Sequence, residues 1–580
     1  MINSDLDEVI DAGAEALLRH LRPEGHFAFD SGAGATLATA GAAVTLQLHD
    51  PAGSRSYIDN GIAHLLTMQN PDGGWGSVPG QPSEAVTTAI AVAVLHIVAP
   101  DCHPDQVSSG RTALDRLGGL AGIADPALAA VCGRFHGMAG WHAPEPVRVP
   151  LWVFLFPKLW RTRMSFRAAV LAATALAQSR RDPGGPLRRL LDRIAAPAAL
   201  RVLYRVHRDE GGTGGFGDNT WPAAMTGIPL IQSGHAPDLV EAIAGYLRRS
   251  ADPDGSWEIV DIRLTYTAFA ATGLCDAGYA ADPRLADVAA LIRGSQRTQP
   301  FSILDCPPGG WSYSHATGWP VTLESAELLS VLAALPGAEE DPALARGLSW
   351  LLGRQDSRGS WSLWVRDTAL ANDGPCPYLT AQAVDALLDG GVPLDDPRIR
   401  RAVRWLVGSQ HEDGTFEALW YRGRTAGTAE VTGALCRAGV TPEHPTVRAA
   451  VRWLLATQHA DGSWGPGDGR PGSVEETAWA LRALLTTGMI PGAGPVDRAA
   501  VWLQTRQLPD GRWPEAPVSA YIRHCVHYPN GAITGGLALR ALAAYRRARA
   551  ALVSMTARAS ASEHDNRGTP PRTDEEKRNE

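Results

Sequence analysis

The chain has 580 residues, 45% of them hydrophobic, with a formal net charge of −8, enough apolar material for two large cores. The charge is spread along the sequence and no basic stripe exists to hold a phosphate backbone, which excludes nucleic acid as an expected partner. Seven cysteines stand far apart without a CxxC pair, no leader peptide is recognisable, and no apolar run reaches the roughly 18 residues that span a bilayer. Reduced thiols and a cytoplasmic location are the expectation.

One signature punctuates the sequence: a Gln or Asp, then usually Asp-Gly, then Trp. It first appears as QNPDGGW (Gln69–Trp75), followed by the apolar run TTAIAVAVL from Thr87. The stretch from about 144 to 210 breaks the pattern. Within it, VRVPLWVFLFPKLW (Val147–Trp160) and MSFRAAVLAATALA (Met164–Ala177) are the most apolar segments of the chain, with Arg and Lys at their edges. They read either as a core hairpin or as a monotopic membrane plateau with basic residues at headgroup level.

From Asp252 the signature recurs roughly every 50 residues, the mark of stacked supersecondary units. The copies are DPDGSW (Asp252–Trp257), a degenerate PPGGW (Pro307–Trp311), QDSRGSW (Gln355–Trp361), QHEDGTF (Gln410–Phe416), QHADGSW (Gln458–Trp464) and QLPDGRW (Gln507–Trp513). Apolar runs follow at Thr265, Glu324, Leu379, Gly427 and Glu475, apolar nearly all round as buried inner helices are. Between them, DPRIRRAVRWLVGSQ from Asp396 and HPTVRAAVRWLLATQ from His444 alternate Arg-rich and apolar faces, the pattern of outer helices. Inner and outer helices joined by short Gly-rich turns close into an α/α barrel. The repeat Trp and Gln are read as structural ties, the Trp stacking on a turn and the Gln bonding a neighbouring helix end. The segment after about Thr556 is polar without apolar periodicity and is expected to be disordered.

This grammar resembles the squalene–hopene and oxidosqualene cyclases and the related class II diterpene cyclases, over nearly the whole chain. Gly122–Trp141 is similar to the family's γ-barrel segment ending in a pocket Trp, Ser165–Ala172 to its W-[SA]-R-[AT] helix, Glu417–Leu435 to GRWGVNYxYGTGxVLxAL, and Ser473–Leu481 to TPSQTAWAL. The resemblance implies an all-α fold of two α/α barrels, β and γ. It places an N-terminal helix (1–25) on the β barrel, the γ barrel at about 30–245, the β barrel at about 250–555 and a tail at 556–580. It implies cyclisation of a linear isoprenoid through carbocations, the substrate being an epoxidised polyprene, a squalene-type chain or a prenyl diphosphate, without a cofactor. By motif position Trp141, Tyr313, Trp364 and Trp420 fall on the family's cation-stabilising aromatics, each able to contribute about 0.5–2 kcal/mol.

The initiating acid departs from the family. Where P-D-x-D-D-T-A is expected, the chain reads Pro320-Val321-Thr322-Leu323-Glu324-Ser325-Ala326. The proton-donating Asp becomes Leu323, and Glu324 is the carboxylate left. The activating His of D-P-P-x-x-D-V-T-A-H becomes Gln382, and the second Asp becomes Tyr378. The oxidosqualene motif S-D-C-T-A-E would also put its acid at Leu323. Glu324 is therefore the candidate acid, suited to an epoxide oxygen more than to an alkene. The plainer alternative is a helix-terminal carboxylate held by the dipole. A competing function class is a protein that binds an isoprenoid without cyclising it, or an enzyme with a different initiation. Burial of Glu324 at the cavity roof with a hydrogen-bond partner would favour the acid.

Other chemistry finds little support. No Asp-x-Cys zinc motif occurs, and the Asp-Pro pairs, such as Asp395-Asp396 before Pro397, read as helix caps. His524 and His527, in AYIRHCVHYPNG, could lie near one helix face, but no third ligand accompanies them and no metal is expected. His524 is carried as a candidate base that ends the cation. A homodimer and a peripheral membrane contact through 147–177 complete the expectations.

Overall fold

The computed structural model describes residues 2–29, 35–143, 147–370, 372–492, 494–523 and 525–567. The first half of the chain carries α1 (Ile2–Leu18), α2 (Thr36–His49), α3 (Arg55–Thr67), α4 (Ala85–Val98), α5 (Pro104–Arg116) and α6 (Pro126–Met138), then α7 (Pro157–Met164), α8 (Ala168–Arg181), α9 (Pro186–Asp209), α10 (Thr220–Ser233) and α11 (Pro237–Arg249). The second half carries α12 (Arg263–Leu274), α13 (Leu285–Ser295), α14 (Thr322–Ala334), α15 (Pro342–Gly353), α16 (Pro377–Asp389) and α17 (Pro397–Gly408), then α18 (Thr425–Arg437), α19 (Pro445–Ala456), α20 (Val474–Thr486), α21 (Pro495–Thr505) and α22 (Gly531–Arg567). A hairpin of β1 (Ser519–Ile522) and β2 (Cys525–Tyr528) precedes α22.

The helices form two α/α barrels. In the C-proximal one, α12, α14, α16, α18, α20 and α22 pack side by side and close on α12, with α13, α15, α17, α19 and α21 outside them. The sixth outer helix is α1, which packs on α22 and α12. In the N-proximal barrel, α6, α4, α2, α10 and α8 lie in that order, and Arg134 on α6 reaches Thr174 on α8 at 3.3 Å. Several helices start where a capping Asp meets a Pro whose missing N–H costs nothing there. Asp125, Asp341 and Asp396 each accept a first-turn amide.

The repeat ties are specific. Outside the degenerate copy, where Trp311 reaches back to Ile292, the repeat indole Nε1 donates to the carbonyl ten residues back, in the last turn of the preceding outer helix, as in Trp75 to Leu65, Trp361 to Leu351 and Trp464 to Leu454 (2.7–2.8 Å). The indole thus satisfies a carbonyl the helix leaves open. The main-chain N–H of the same Trp donates to an inner-helix hydroxyl, Thr88, Thr380 or Thr477. The Gln amide bridges its own turn and the first turn of the next outer helix, as Gln458 does to Gly462 and Pro495. Gly462 turns at φ +96, and a Cβ there would sit 2.8 Å from the Arg498 carbonyl.

Two repeats close the rings. Gln507 reaches Val9 on α1, which makes the N-terminal helix part of the C-proximal barrel. The Trp257 main-chain N–H donates to the Thr39 hydroxyl on α2, so the Asp252–Trp257 copy clasps the N-proximal barrel. The degenerate copy has its Gln displaced: Gln296 bridges Gly309 and Ala343, with residues 297–308 looped out between Gln and Trp311.

Of the two apolar segments, Met164–Ala177 supplies core: Ala168, Ala169, Ala172, Ala173 and Leu176 are buried on inner helix α8. The other segment stays partly at the surface. His527 stands on a β-strand, so the expected pairing of two histidines on a helix face does not arise, and His524 lies outside the described residues. Helical backbone continues to Arg567, beyond residue 556 where disorder is expected; 568–580 lie outside the described residues.

Candidate functional site

A cavity of about 150 Å³ lies between the two barrels, lined from both. The C-proximal wall is Thr265 on α12, Tyr313, Trp319 and Val321 before α14, Leu323 and Glu324 in its first turn, and Leu363, Trp364, Trp420 and Tyr421 in the following loops. The N-proximal wall is Phe166 and the 216–222 loop. The β1–β2 hairpin adds Tyr521 and Tyr528, with Ala520 N–H bonded to the Trp420 carbonyl at 2.9 Å.

Glu324 is the third residue of α14 and is buried. Its Oε1 accepts from the Thr265 hydroxyl at 3.1 Å, while Oε2 has no partner among the described residues. Burial pushes its carboxyl up to about 7, against the pull of its own amide and of Thr265. One turn deeper, Glu327 is buried with both oxygens unpartnered. Burial, then the Glu324 charge, pushes it far above the carboxylate range, opposed by Arg540 on α22.

Aromatic rings meet in two groups along the lining. Phe166 and Trp364 meet at 4.2 Å, Trp364 presents an edge to Trp420 at 6.4 Å, and Tyr521 stacks on Tyr528 at 4.0 Å. The Tyr313 hydroxyl donates to the Gly217 carbonyl, tying the two barrels across the cavity. No Lys, Arg or His lines the cavity among the described residues. Nor does any group of three His, Cys, Asp or Glu gather that could hold a metal.

The structure thus brings together Glu324, Leu323, Tyr313, Trp364 and Trp420. It does not bring Trp141: that ring sits past the end of α6, 5.1 Å from His96 and 5.2 Å from His136, with Arg111 4.9 Å over it. Gln382 lies beside the cavity lining rather than in it, its amide 3.3 Å from the Tyr378 hydroxyl. Sequence reasoning missed Phe166, Trp319, Tyr421, Tyr521, Tyr528 and Glu327. The hairpin tyrosines carry no periodic signal in the sequence, whereas Glu327 follows Glu324 at the i, i+3 spacing that shares a helix face.

A second feature sits away from the cavity. Val147 (76% exposed), Trp152, Leu155 and Phe156 (54%) stand out beside Leu187 (71%), Leu190, Leu191 and Ile194 (56%) of α9. Arg148, Lys158, Arg188, Arg189 and Arg193 flank them in the chain. The α9 half of this patch had no counterpart in the sequence reading. Among the described residues no helix is long and apolar enough to cross a membrane.

Comparison with known proteins gives a consistent picture. A model of the squalene-hopene cyclase C-terminal domain matches residues 264–524, and one of the prenyltransferase alpha-alpha toroid domain matches 1–118. The squalene-hopene cyclase of Schizosaccharomyces japonicus is 29% identical over 129 residues, 20% of this chain and 19% of that protein. The drimenyl diphosphate synthase of Streptomyces showdoensis is 35% identical over 96 residues, 16% of this chain and 18% of that protein. The matched stretches span about a fifth of the length of these relatives. The structure of ent-copalyl diphosphate synthase from Streptomyces platensis superposes with a TM-score of 0.57 at 21% identity, over 93% of this chain and 99% of that one, a likeness of fold.

Proposed function

The chain belongs to the squalene–hopene and class II terpene cyclase family, as a member without the family's Asp-rich acid motif, and we propose that it cyclises a neutral linear isoprenoid bearing a terminal epoxide. The observation that carries this reading is Glu324: a buried carboxyl on the wall of an aromatic cavity, with Thr265 as its hydrogen-bond partner. Raised to about 7, it holds its proton at and below neutral pH. Such an acid is weak for an alkene carbon and adequate for an epoxide oxygen.

The step balances simply. Glu324 passes its proton to the epoxide oxygen, the carbon–oxygen bond opens, and the π pair of the neighbouring alkene forms the new ring bond. Positive charge moves along the chain past Tyr313, Trp364 and Trp420, whose ring faces stabilise it, until a C–H bond beside the last cation breaks, its electron pair forming an alkene and its proton going to the proposed base, His524. Water is kept off by the walls, since the lining is dominated by rings and aliphatic groups. Among the described residues the lining offers a diphosphate no cationic group, which favours the neutral substrate over a prenyl diphosphate. Glu327, on the same helix face, is proposed to hold the proton that Glu324 needs again after turnover. The exposed apolar patch on 147–156 and 187–194, with its flanking basic residues, supports docking on a lipid surface from which such a substrate would be drawn.

The test is mass spectrometry of extracts after incubation with squalene, oxidosqualene, geranylgeranyl diphosphate and its terminal epoxide, wild type beside Glu324→Gln. A cyclic product from an epoxide, lost in the variant, is expected. A product that persists in Glu324→Gln removes Glu324 as the acid, and turnover of none of the four removes the cyclase reading.

A further inference from the structure

The inner helices of the C-proximal barrel are rich in apolar residues, yet charge collects along the barrel axis. Deeper than Glu324 come Glu327 on α14, Asp385 on α16, Glu430 on α18, Arg482 on α20 and Arg540 on α22. The three carboxyls are buried. Arg540 lies in electrostatic range of Glu327, Glu430 and Asp385 at once, which a helix two places from α14 and three from α16 in the ring reaches only across the axis.

Two features make this column a path and not a plug. The first is a run of polar atoms without partners among the described residues: Oε2 of Glu324, both oxygens of Glu327, Oε1 of Glu430, Nη1 of Arg482 and Nε1 of Trp479. Buried polar atoms gathered in this way are where ordered water settles. The second is an opening. Arg437, at the end of α18, pairs with Asp385 at 3.0 Å and with Asp389, and keeps 38% of its side chain exposed. Arg482 pairs with Glu430 at 2.8 Å and Arg540 with Asp276 at 3.0 Å, so each cation on the column has a carboxylate and does not bar a proton. Along α16, Tyr378 in the first turn and Asp389 in the last are about 17 Å apart at 1.5 Å per residue. An axis serving stability alone would be filled as well or better by apolar side chains.

We propose that the axis of the C-proximal barrel is a water-threaded proton path that recharges Glu324 from the solvent at its Arg437–Asp389 end. The inference rests on the cyclase reading for the use of that proton. Each turnover leaves Glu324 as a carboxylate. Glu327 gives it a proton from one oxygen and takes another from water on its second oxygen, so Glu327 is protonated before and after. Burial and the Glu324 charge keep it so. Water held by Glu430 and Asp385 passes the deficit outward until bulk water supplies one proton. Nothing is oxidised or reduced, and Glu327, Glu430 and Asp385 act through Glu324 without touching substrate.

The path is tested in the full chain, first without turnover. With squalane added as an inert filler of the cavity, the protein is moved into D2O below neutral pH, and infrared spectroscopy follows the carboxyl band that Glu324→Gln removes. Glu327→Gln, Glu430→Gln and Asp385→Asn keep shape and hydrogen bonding, but an amide passes protons poorly. Each should slow the exchange of that band at least about tenfold with an unchanged circular dichroism spectrum. Exchange as fast as in wild type in all three would overturn the proposal. Rapid-quench kinetics with oxidosqualene then separates the first turnover, which spends the proton Glu324 already holds, from the later ones. Later turnovers in the three variants should slow about tenfold while the first stays within about twofold, and Glu327→Asp, which restores a carboxyl, should recover them. Equal slowing of first and later turnovers would also overturn the proposal. Absence of product from wild type counts against the cyclase reading alone, because the infrared exchange decides the path by itself.

Discussion

Replacing Glu324 by Gln should remove a pH dependence that the wild type carries in both stability and turnover. The unfolded carboxyl ionises near 4.5, whereas the folded one holds its proton up to about 7. Between those values the unfolded state has released a proton that the folded state retains, so stability falls as pH rises and levels off above about 7. At about 1.4 kcal/mol per pH unit, that window removes roughly 3 kcal/mol. Glu327, Glu210 and Asp373 are also raised by burial, so the wild type alone would show a sum. The difference between wild type and Glu324→Gln isolates the one group together with its repulsion from Glu327. Denaturant unfolding at about pH 5, 6, 7 and 8, followed by circular dichroism, should show the variant gaining roughly 3 kcal/mol on the wild type across the series. Turnover of the wild type should fall along a descending limb centred near 7, because the donor is the protonated form. A stability difference that does not change with pH would refute the burial argument, and a rate that rises through 7 would refute the assignment of the acid.

Four further outcomes are expected. Trp464→Phe leaves the Leu454 carbonyl without its 2.7 Å indole partner and should cost about 1–3 kcal/mol in denaturant unfolding. At the Phe416 copy the equivalent Leu406 carbonyl accepts from Ser409 Oγ at 2.8 Å instead, so Ser409→Ala should be the damaging change there, by about 1 kcal/mol. Glu327→Met removes an unpartnered buried carboxyl and should raise the unfolding free energy by at least about 1 kcal/mol at about pH 8, with slower repeated turnover. Trp152→Ser with Phe156→Ser and Leu187→Ser should abolish cosedimentation with anionic vesicles while leaving the circular dichroism spectrum unchanged.

The barrels were legible because their cause is local and repeated: a Gln amide, an Asp-Gly turn and an indole recur wherever an outer helix must be tied to the next. Even the degenerate copy obeys, its Gln296 hidden only by the 297–308 insertion. The cavity was half legible. Tyr313, Trp364 and Trp420 follow repeat Trp or Phe positions closely, so motif register locates them. Trp141 has no such anchor, and an aromatic after a helix end can turn outward, as it does toward His96. Trp319, Phe166 and the hairpin tyrosines face the cavity only because the two barrels meet there, a long-range fact that no window of sequence contains. The surface patch shows the same limit: Val147–Trp160 is visibly apolar, whereas Leu187, Leu190, Leu191 and Ile194 sit among arginines and reveal themselves only once α9 is seen beside Leu151–Leu155.

The loss of the usual acid and the survival of Glu324 are compatible because of how the ring is built. The first turns of α12 and α14 line the cavity, so amides without helical partners and positive dipole ends face it there. Glu324 occupies the first turn of α14 there. Burial in aromatic surroundings keeps the Glu324 proton in place at rest. Once the proton leaves, the carboxylate is met by the α14 dipole, worth about 0.3–1 kcal/mol and up to about 2 when partly buried, and by the Thr265 hydroxyl. The His-activated Asp of the family is replaced by Leu323 and Gln382, so these two contacts are what remain to stabilise the conjugate base. They are weaker than a cationic partner, which is the ground for proposing an epoxide oxygen rather than an alkene as the acceptor. Thr265→Val tests this step directly. It removes the hydroxyl without changing the shape of the wall, so the Glu324 carboxyl should rise further, the descending limb should move to higher pH, and the maximal rate should fall about tenfold, the loss of one charge-assisted hydrogen bond of about 1.4 kcal/mol. A limb that stays in place in Thr265→Val would mean that the hydroxyl does not hold the carboxylate.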